Sequence, residues 1–244
     1  MPQWAALLIA GTVAWIAWAA LARGLTRTRI RGDDTLAALA LGFIRLYGRV
    51  VHNLRVSGLE HVPRARRGED GRPEAGPLLV VANHTAGVDP LLIQSALDFE
   101  VKWVMAEDMR VAYFEAMWQW IGLIFLDRRT SESMPLRRAL RHLRSGGVLG
   151  IFPEGAIERP PRRLLPFREG VGMLVARGGA PVLPVVVDGT PQVQTAWGSL
   201  IKPSRSQVRF LPLMPAEKFK GLDAAAATAA LEEVFTSATG WASD

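Results

Sequence analysis

The stretch Leu78-Leu79-Val80-Val81-Ala82-Asn83-His84-Thr85-Ala86-Gly87-Val88-Asp89-Pro90 decides the fold that this sequence predicts. Its first five residues form an apolar run that is typical of a buried strand, and the apolar residues after Pro90 predict a helix. His84 and Asp89 stand five positions apart on the turn between them. Because α/β proteins place their chemistry on such turns, the pair is a candidate general base with its orienting acid.

A purely structural interpretation of this turn competes with the catalytic one. Asp89 followed by Pro90 also matches a helix start, with aspartate as the N-cap and proline at the first helical position. His84 would then be an ordinary loop residue. A short pattern alone does not separate the two interpretations, so the rest of the chain has to be considered.

Strand-like and helical stretches alternate along most of the chain. Apolar runs occupy residues 78–82, 123–126, 148–152 and 182–187, and helical patterns occupy residues 90–98, 106–120, 135–144 and 169–177. This alternation predicts an α/β fold in which a layered sheet is flanked by helices. An alanine-rich run near the end, residues 224–230, predicts a C-terminal helix. We place a domain boundary between residues 1–54, predicted as N-terminal membrane-anchor helices, and residues 55–244, predicted as the α/β domain.

The N-terminal segment is a candidate membrane anchor. From Trp4 to Ala22 the chain carries no charge, and about 19 residues at helical rise nearly match the roughly 30 Å hydrocarbon core of a bilayer. The arginines that follow place the remainder of the chain in the cytoplasm by the positive-inside rule. They are Arg23, Arg27, Arg29 and Arg31.

Two alternatives to a spanning helix stay open at this point. A cleaved signal peptide is disfavoured, because no Lys or Arg precedes the apolar core. A shallow helical hairpin in one leaflet would also fit, since Gly11 and Thr12 tolerate a bend in the middle of the segment.

A second, amphipathic helix follows a possible cap at Asp33 and Asp34. Its apolar positions recur at helical spacing, at Leu36, Leu39, Phe43, Tyr47 and Val50. Such a helix either lies along the membrane interface or packs against the core of the α/β domain.

Composition narrows the classes of function. The 244 residues contain no cysteine, which excludes a disulfide framework, a thiolate zinc site and a cysteine nucleophile. The four histidines have no metal-ligand spacing, so no metal site is predicted.

A net charge of +6 implies an anionic partner, either nucleic acid, a phospholipid surface or a phosphorylated substrate. The basic clusters lack interleaved aromatic residues, which disfavours nucleic acid, and no Gly-x-Ser-x-Gly elbow supports a serine hydrolase.

Three further segments could carry chemistry. Residues 122–129 end a predicted strand in Asp127, Arg128 and Arg129, where an arginine could bind a phosphate or simply pair with the local aspartate. Phe152-Pro153-Glu154-Gly155 places a carboxylate on a stiff turn. In Val182–Val187, a proline at position 184 favours an edge strand or an irregularity that lines a site.

In this order, the segments resemble the four blocks of the glycerolipid acyltransferase family, which includes the lysophosphatidic acid acyltransferases. The resemblance spans roughly residues 57–188. Asn83-His84 through Asp89 resembles the catalytic His-x-x-x-x-Asp block, and Lys102-Trp103 resembles the segment that joins it to the second block. The second, third and fourth blocks correspond to residues 122–128, 152–155 and 183–185.

The resemblance implies roles for individual residues. His84 would be the general base and Asp89 its orienting acid, without an acyl-enzyme intermediate. Arg128 would anchor an acidic headgroup, with Lys102 as a second candidate, and Glu154 with Gly155 would contact the polar end of the acceptor. The complete predicted substrate-binding set is Asn83, Lys102, Arg128, Phe152, Pro153, Glu154 and Gly155.

The resemblance also implies the substrates. The donor would be an acyl thioester of coenzyme A or acyl carrier protein, acting as co-substrate with no resident cofactor. The acceptor would be lysophosphatidate, or else another lysophospholipid, glycerol phosphate or a lyso-aminolipid. The headgroup stays open because the family's third block often continues with Thr-Arg-Ser, whereas this chain has Ala156-Ile157-Glu158 before Arg159. A membrane-anchored lipid-binding protein without turnover is the alternative, and acyl chain length and oligomeric state stay open.

Overall fold

The computed structural model describes residues 12, 15, 30, 31, 34–68, 73–126 and 133–243. Within them the central element is a seven-stranded sheet. Its strands are β1 (Arg55–Ser57), β2 (Leu78–Ala82), β3 (Lys102–Ala106), β4 (Ile124–Leu126), β5 (Val148–Ile151), β6 (Val182–Asp188) and β7 (Gln207–Phe210). They lie side by side in the order β1-β7-β6-β2-β5-β3-β4.

Helices connect the strands and cover the sheet. They are α1 (Thr35–Val50), α2 (Asp89–Ser95), α3 (Glu115–Ile121), α4 (Ser133–Arg144), α5 (Glu169–Gly178) and α6 (Ala224–Thr239). The helix predicted over residues 106–120 is shorter than expected, because 3-10 turns at Glu107–Met109 and Ala112–Phe114 precede α3.

The sheet is mostly parallel, which confirms the α/β prediction. β6, β2, β5, β3 and β4 run in the same direction, while β7 pairs antiparallel with β6 and β1 closes that edge. All five residues of the central strand β2 are buried, as expected for a strand covered on both faces. The carboxyl ends of the five parallel strands therefore lie at the same end of the sheet. His84 lies at that end, two residues after the last residue of β2.

Two apolar layers hold the helices against the sheet. On one face, Leu79 and Val81 of β2 pack in a cluster with residues of α4, α5 and α6. On the other face, Leu78 and Val80 pack with residues of α2. The alternation of side chains along a strand assigns neighbouring residues to opposite faces.

Pro184 does not lie on an edge strand, so the first of the two predicted alternatives was wrong, while a site-lining irregularity stays a prediction. β6 pairs with β2 on one side and with β7 on the other, and Pro184 is buried. Its carbonyl accepts a hydrogen bond from the backbone N–H of Leu211, which lies just beyond the end of β7. Proline has no N–H to donate, but this removes no regular strand hydrogen bond, because the pairing of β6 with β7 has already ended at Pro184.

Helix α1 packs on the α/β domain. Asp34 is its N-cap and accepts a hydrogen bond from the N–H of Ala37 at 3.0 Å, as the sequence predicted. Ala37, Ala38 and Leu41 are buried, and α1 packs on α2. The opposite side of α1 leaves a stripe of large apolar residues exposed: Leu36, Leu39, Phe43, Leu46 and Val50.

The predicted membrane segment, residues 4–22, falls outside the described residues except for Thr12 and Trp15, which are helical. No helix in the described part of the chain is both long enough and apolar enough to cross a membrane. The anchor and the boundary between residues 1–54 and 55–244 therefore stay predictions.

Candidate active site

Asp89 folds the turn between β2 and α2 around its own carboxylate. This carboxylate is fully buried, and its Oδ2 accepts the backbone N–H groups of Thr85 at 2.7 Å and Ala86 at 2.8 Å. Its Oδ1 accepts the Thr85 hydroxyl at 3.2 Å. Helix α2 begins at Asp89 itself with Val88 as the N-cap, so Asp89 is not the N-cap that one interpretation of the sequence suggested.

The same carboxylate holds the imidazole of His84. His84 Nδ1 lies 3.0 Å from Asp89 Oδ2. A carboxylate can only accept here, so Nδ1 carries a proton, and in the neutral imidazole Nε2 then keeps its lone pair. Nε2 has no hydrogen-bond partner among the described residues, and the side chain is 18% exposed. An oriented imidazole with an open Nε2 is suited to accept a proton from a bound hydroxyl group.

Aromatic rings support the imidazole from one side. The Phe152 ring stacks on His84 with 4.1 Å between centroids and 19° between planes. Trp103 in turn stacks on Phe152 at 5.0 Å. The column thus fixes the plane of the imidazole, while Asp89 fixes its tautomer.

Two buried glutamates lie beneath the turn. Glu154 Oε1 accepts the backbone N–H of His84 at 3.4 Å, and Glu158 is buried as well. Burial, followed by the charge of Glu158, raises the pKa of Glu154 to about 9. Burial also raises the pKa of Glu158 to about 7, with Asp89 and Asp188 contributing. Glu154 is therefore a neutral carboxylic acid at pH 7.

The loop after β5 clasps the catalytic turn. The N–H of Glu158 donates to the carbonyl of His84 at 2.8 Å. The Arg159 guanidinium donates to three carbonyls, those of Thr85 at 3.0 Å, Glu158 at 2.6 Å and Val193 at 2.8 Å. Sequence reasoning assigned no role to Glu158 or Arg159, although both lie where the third block departs from the family pattern.

Asn83, predicted to bind the substrate, lies in the protein interior. Its side chain is fully buried, and its amide forms two hydrogen bonds with the backbone of Val187. Val187 N donates to Asn83 Oδ1 at 2.8 Å, and Asn83 Nδ2 donates to Val187 O at 3.0 Å. Asn83 thereby fastens the end of β2 to β6.

Lys102 does not lie near His84. It is paired in register with Leu149 on β5, which in turn is paired with Leu79 on β2. Lys102 thus lies toward the amino ends of the parallel strands, on the opposite side of the sheet from the catalytic turn. It lines a groove of about 1020 Å³ beside α4, together with Arg138 and Arg141. Arg128 lies outside the described residues.

Pro153 and Gly155 shape the turn that carries Glu154. The Pro153 carbonyl accepts the N–H of Arg168 at 2.9 Å. Gly155 has a φ of 68°, and a Cβ there would lie 2.6 Å from Arg168 Nε. The positive φ favours glycine at this position, whereas the flexible Arg168 side chain could move aside.

The chain matches a known protein family. The family described as Acyltransferase matches residues 53–188, which is more than half of the chain. The chain therefore belongs to the acyltransferase family and is an enzyme of that class.

Individual relatives carry a more specific name. The chain is 27% identical over 197 residues to the 1-acyl-sn-glycerol-3-phosphate acyltransferase alpha of Ovis aries, covering 76% of this chain and 68% of the relative. It is 25% identical over 155 residues to the 1-acyl-sn-glycerol-3-phosphate acyltransferase of Borreliella burgdorferi, covering 62% of this chain and 60% of the relative.

A solved structure shares the fold. It is the crystal structure of the 1-acyl-sn-glycerophosphate (LPA) acyltransferase PlsC from Thermotoga maritima, which matches with a TM-score of 0.63 and 21% identity. The match covers 98% of this chain and 97% of that protein.

Proposed function

We propose that this enzyme transfers a fatty acyl group from an acyl thioester to a hydroxyl group of a lysophospholipid, with lysophosphatidate as the first acceptor. The observation that carries this proposal is the hydrogen bond between His84 Nδ1 and the buried carboxylate of Asp89, which leaves Nε2 open. The names of the relatives support the choice of acceptor.

The proposed reaction is a single displacement at the thioester carbonyl. His84 Nε2 takes the proton of the acceptor hydroxyl as its oxygen attacks; the new C–O bond forms and the C–S bond breaks. The imidazolium then returns the proton to the departing thiolate, whose thiol has a pKa of about 8.5 and so leaves far more readily than an alcohol would. Asp89 keeps the ring in the correct tautomer and stabilises the imidazolium. Positioning and proton transfer supply the rate.

We do not assign headgroup binding to Arg159. Its guanidinium is engaged by three backbone carbonyls, and the family's arginine position is occupied by Ile157. We assign the anchoring of an acidic headgroup to Arg128 and contact with the acceptor's polar end to the Glu154-Gly155 turn. A lyso-aminolipid is the alternative acceptor, because the third block lacks its usual cation.

We also place the enzyme at a membrane, with residues 4–22 as its anchor and the α/β domain on the cytoplasmic face. The apolar segment followed by arginines and the net charge of +6 support this assignment. Coenzyme A and acyl carrier protein both remain candidate donors, since a basic surface suits either anion.

The test is acyl transfer in detergent micelles with labelled acyl-coenzyme A and acyl carrier protein donors. The acceptors are lysophosphatidate, a neutral or zwitterionic lysophospholipid, glycerol phosphate and a lyso-aminolipid. We expect transfer to lysophosphatidate by the wild type and none by His84→Ala. Transfer restricted to another acceptor would correct the substrate, and no transfer with any pair would refute the proposal and favour a lipid-binding role.

A further inference from the structure

A group of large apolar side chains lies exposed on the α/β domain itself, apart from α1. It comes from the segment before and within α3 and from the 3-10 turn at Trp197–Leu200 with the residue after it. We call it the aromatic patch; it consists of Tyr113, Phe114, Met117, Trp120, Trp197 and Ile201. Tyr113 is 90% exposed and Ile201 is 83% exposed. Exposing large apolar side chains to water does not stabilise a folded domain, so such a group indicates an interaction surface.

Three rings of the patch, those of Tyr113, Phe114 and Trp197, form one connected surface although they come from distant parts of the chain. Tyr113 contacts Phe114 edge-on at 5.3 Å, and Phe114 lies 6.4 Å from Trp197. Beneath them Trp118 is buried and contacts both Phe114 and Trp197 at 6.0 Å. The arrangement is therefore built on a packed base, which holds the outer rings in place.

The patch adjoins the catalytic turn. Ala196, the residue before Trp197, lies so close to Gly87 that a Cβ on Gly87 would be 2.4 Å from its carbonyl oxygen. Gly87 stands between His84 and Asp89 in the sequence. Whatever covers the patch is thus close to the entrance of the active site.

The patch also adjoins both ends of α1. Arg31, just before α1, stacks over the Trp120 ring at 4.7 Å and bonds to Glu100. Near the other end, the Tyr47 hydroxyl donates to the carbonyl of Leu200. The predicted membrane segment, residues 4–22, ends nine residues before Arg31, so Trp120 lies on the side of the domain from which the chain continues toward that segment.

We propose that the aromatic patch is a membrane-contact surface that seats the α/β domain on the lipid bilayer, with the catalytic turn facing the lipid headgroups. This inference rests on the proposed function only in taking the enzyme to work at a membrane. Tryptophan and tyrosine are the residues enriched at the membrane–water boundary, where an apolar body and a polar tip are both accommodated. The exposed cations Lys202 and Arg205 follow Ile201 and suit an anionic lipid surface.

The absence of cysteine allows a site-specific test in the full chain. Tyr113→Cys and Ile201→Cys each carry one environment-sensitive fluorophore, and Leu213→Cys is the matched control. Leu213 is exposed as well, but its neighbour Met214 pairs with Val182 at the start of β6, at the opposite edge of the sheet. The probe is a vesicle of phosphatidylcholine and phosphatidylglycerol that contains nitroxide-labelled lipid.

We expect the labels at positions 113 and 201 to shift to shorter wavelength on vesicles and to be quenched several-fold more than the label at 213. The inference is overturned if the protein co-floats with the vesicles, and is therefore bound to them, while all three labels still report an aqueous environment. It is also overturned if the first two labels are shielded before vesicles are added, by a second copy or by the chain itself. A dependence on protein concentration separates these two cases.

An activity measurement supplies a second readout. The double variant Tyr113→Ser/Ile201→Ser should lose several-fold in transfer to a vesicle-embedded acceptor, but not to a short-chain acceptor in solution. Leu213→Ser should change neither, and an equal loss with both acceptors would contradict a membrane role. The fluorescence experiment needs no turnover, so an inactive protein with quenched labels would refute the proposed reaction while leaving the contact surface intact.

Discussion

The backbone N–H of Glu158 donates a hydrogen bond of 2.8 Å to the carbonyl of His84, which ties the loop after β5 directly to the proposed base. The loop keeps its own shape by a second contact. Glu158 Oε1 accepts the N–H of Arg162 at 3.0 Å, and Arg162 has a φ of 61°, in the left-handed region. The position of His84 therefore depends on residues more than seventy positions away in the sequence.

Arg159→Ala should lower kcat by about tenfold and leave the KM of the acceptor nearly unchanged. The guanidinium holds the carbonyl of Thr85, so its loss lets the catalytic turn relax, and small displacements of reacting groups are costly. Steady-state kinetics with phosphate-bearing and phosphate-free acceptors measures this. Arg144→Ala is the control, because Arg144 also donates to a carbonyl, that of Arg177, but at the far end of α4. A KM increase confined to phosphate-bearing acceptors would instead make Arg159 a headgroup ligand.

Asp89→Asn should reduce kcat by a factor on the order of 10² to 10⁴, as loss of the orienting carboxylate does in other acid–base sites. Thr85 N–H, Ala86 N–H and His84 Nδ1 all bond to Oδ2, so an amide oxygen at that position can still accept from all three groups. The neutral amide no longer stabilises the imidazolium that forms when His84 takes the proton, so the base is weakened while the turn keeps its shape. Single-turnover transfer measures the effect, and Asp98→Asn, at an exposed ion pair with Arg45, is the control. A variant with wild-type turnover would remove Asp89 from the mechanism.

The sequence predicted the central strands because buried parallel strands are continuous apolar runs. β2 and β6 are of this kind. By contrast, β7 alternates exposed and buried residues over four positions, and β3 buries only Trp103, so neither gave a distinct signal. Short strands of mixed polarity are specified by their neighbours more than by their own composition.

Residue spacing alone predicted only the parts of the site that are close in sequence, whereas Phe152 and Glu154 were predicted through the family resemblance. His84 and Asp89 are five residues apart, and a single turn brings them together. The contacts of Glu158 with this turn and of Asn83 with Val187 span much longer separations, and they exist only once the sheet has formed. Similarly, the placement of Lys102 depends on strand register, which the family resemblance does not state.

Glu154→Gln should flatten the decline of stability with rising pH. In the folded protein Glu154 keeps its proton up to a pKa of about 9, whereas the unfolded chain releases it near 4.5. Between these values the unfolded state binds fewer protons, so stability falls as pH rises, by at most about 1.4 kcal/mol per pH unit for one group. The glutamine cannot ionise, so its advantage over the wild type should grow toward pH 9. Denaturant unfolding at several pH values measures this.

Glu154→Ala separates titration from hydrogen bonding in the same experiment. It also removes the ionisable group, but it leaves the N–H of His84 without its acceptor. We expect the same flattened profile at lower overall stability, since an unpaired buried donor costs about 1–3 kcal/mol. If the glutamine variant kept the wild-type slope, another buried group would have to account for it, and Glu158 would be examined next.

Gly150→Ala should both destabilise the protein and slow transfer, because Gly150 is the cross-strand neighbour of Trp103. A Cβ at position 150 would lie 2.5 Å from the indole ring, which is buried and has to move, at a cost of about 1–3 kcal/mol. That ring stacks on Phe152, and Phe152 stacks on His84, so the displacement reaches the base.

Gly170→Ala is the control. Gly170 lies in helix α5 with no atom within 4 Å of a new Cβ, so the substitution should raise the free energy of unfolding by about 0.4–1 kcal/mol with unchanged turnover. Denaturant midpoints and kcat for both variants decide the matter. A Gly150→Ala variant that loses stability but keeps full turnover would show that the aromatic column supports the core and not the orientation of His84.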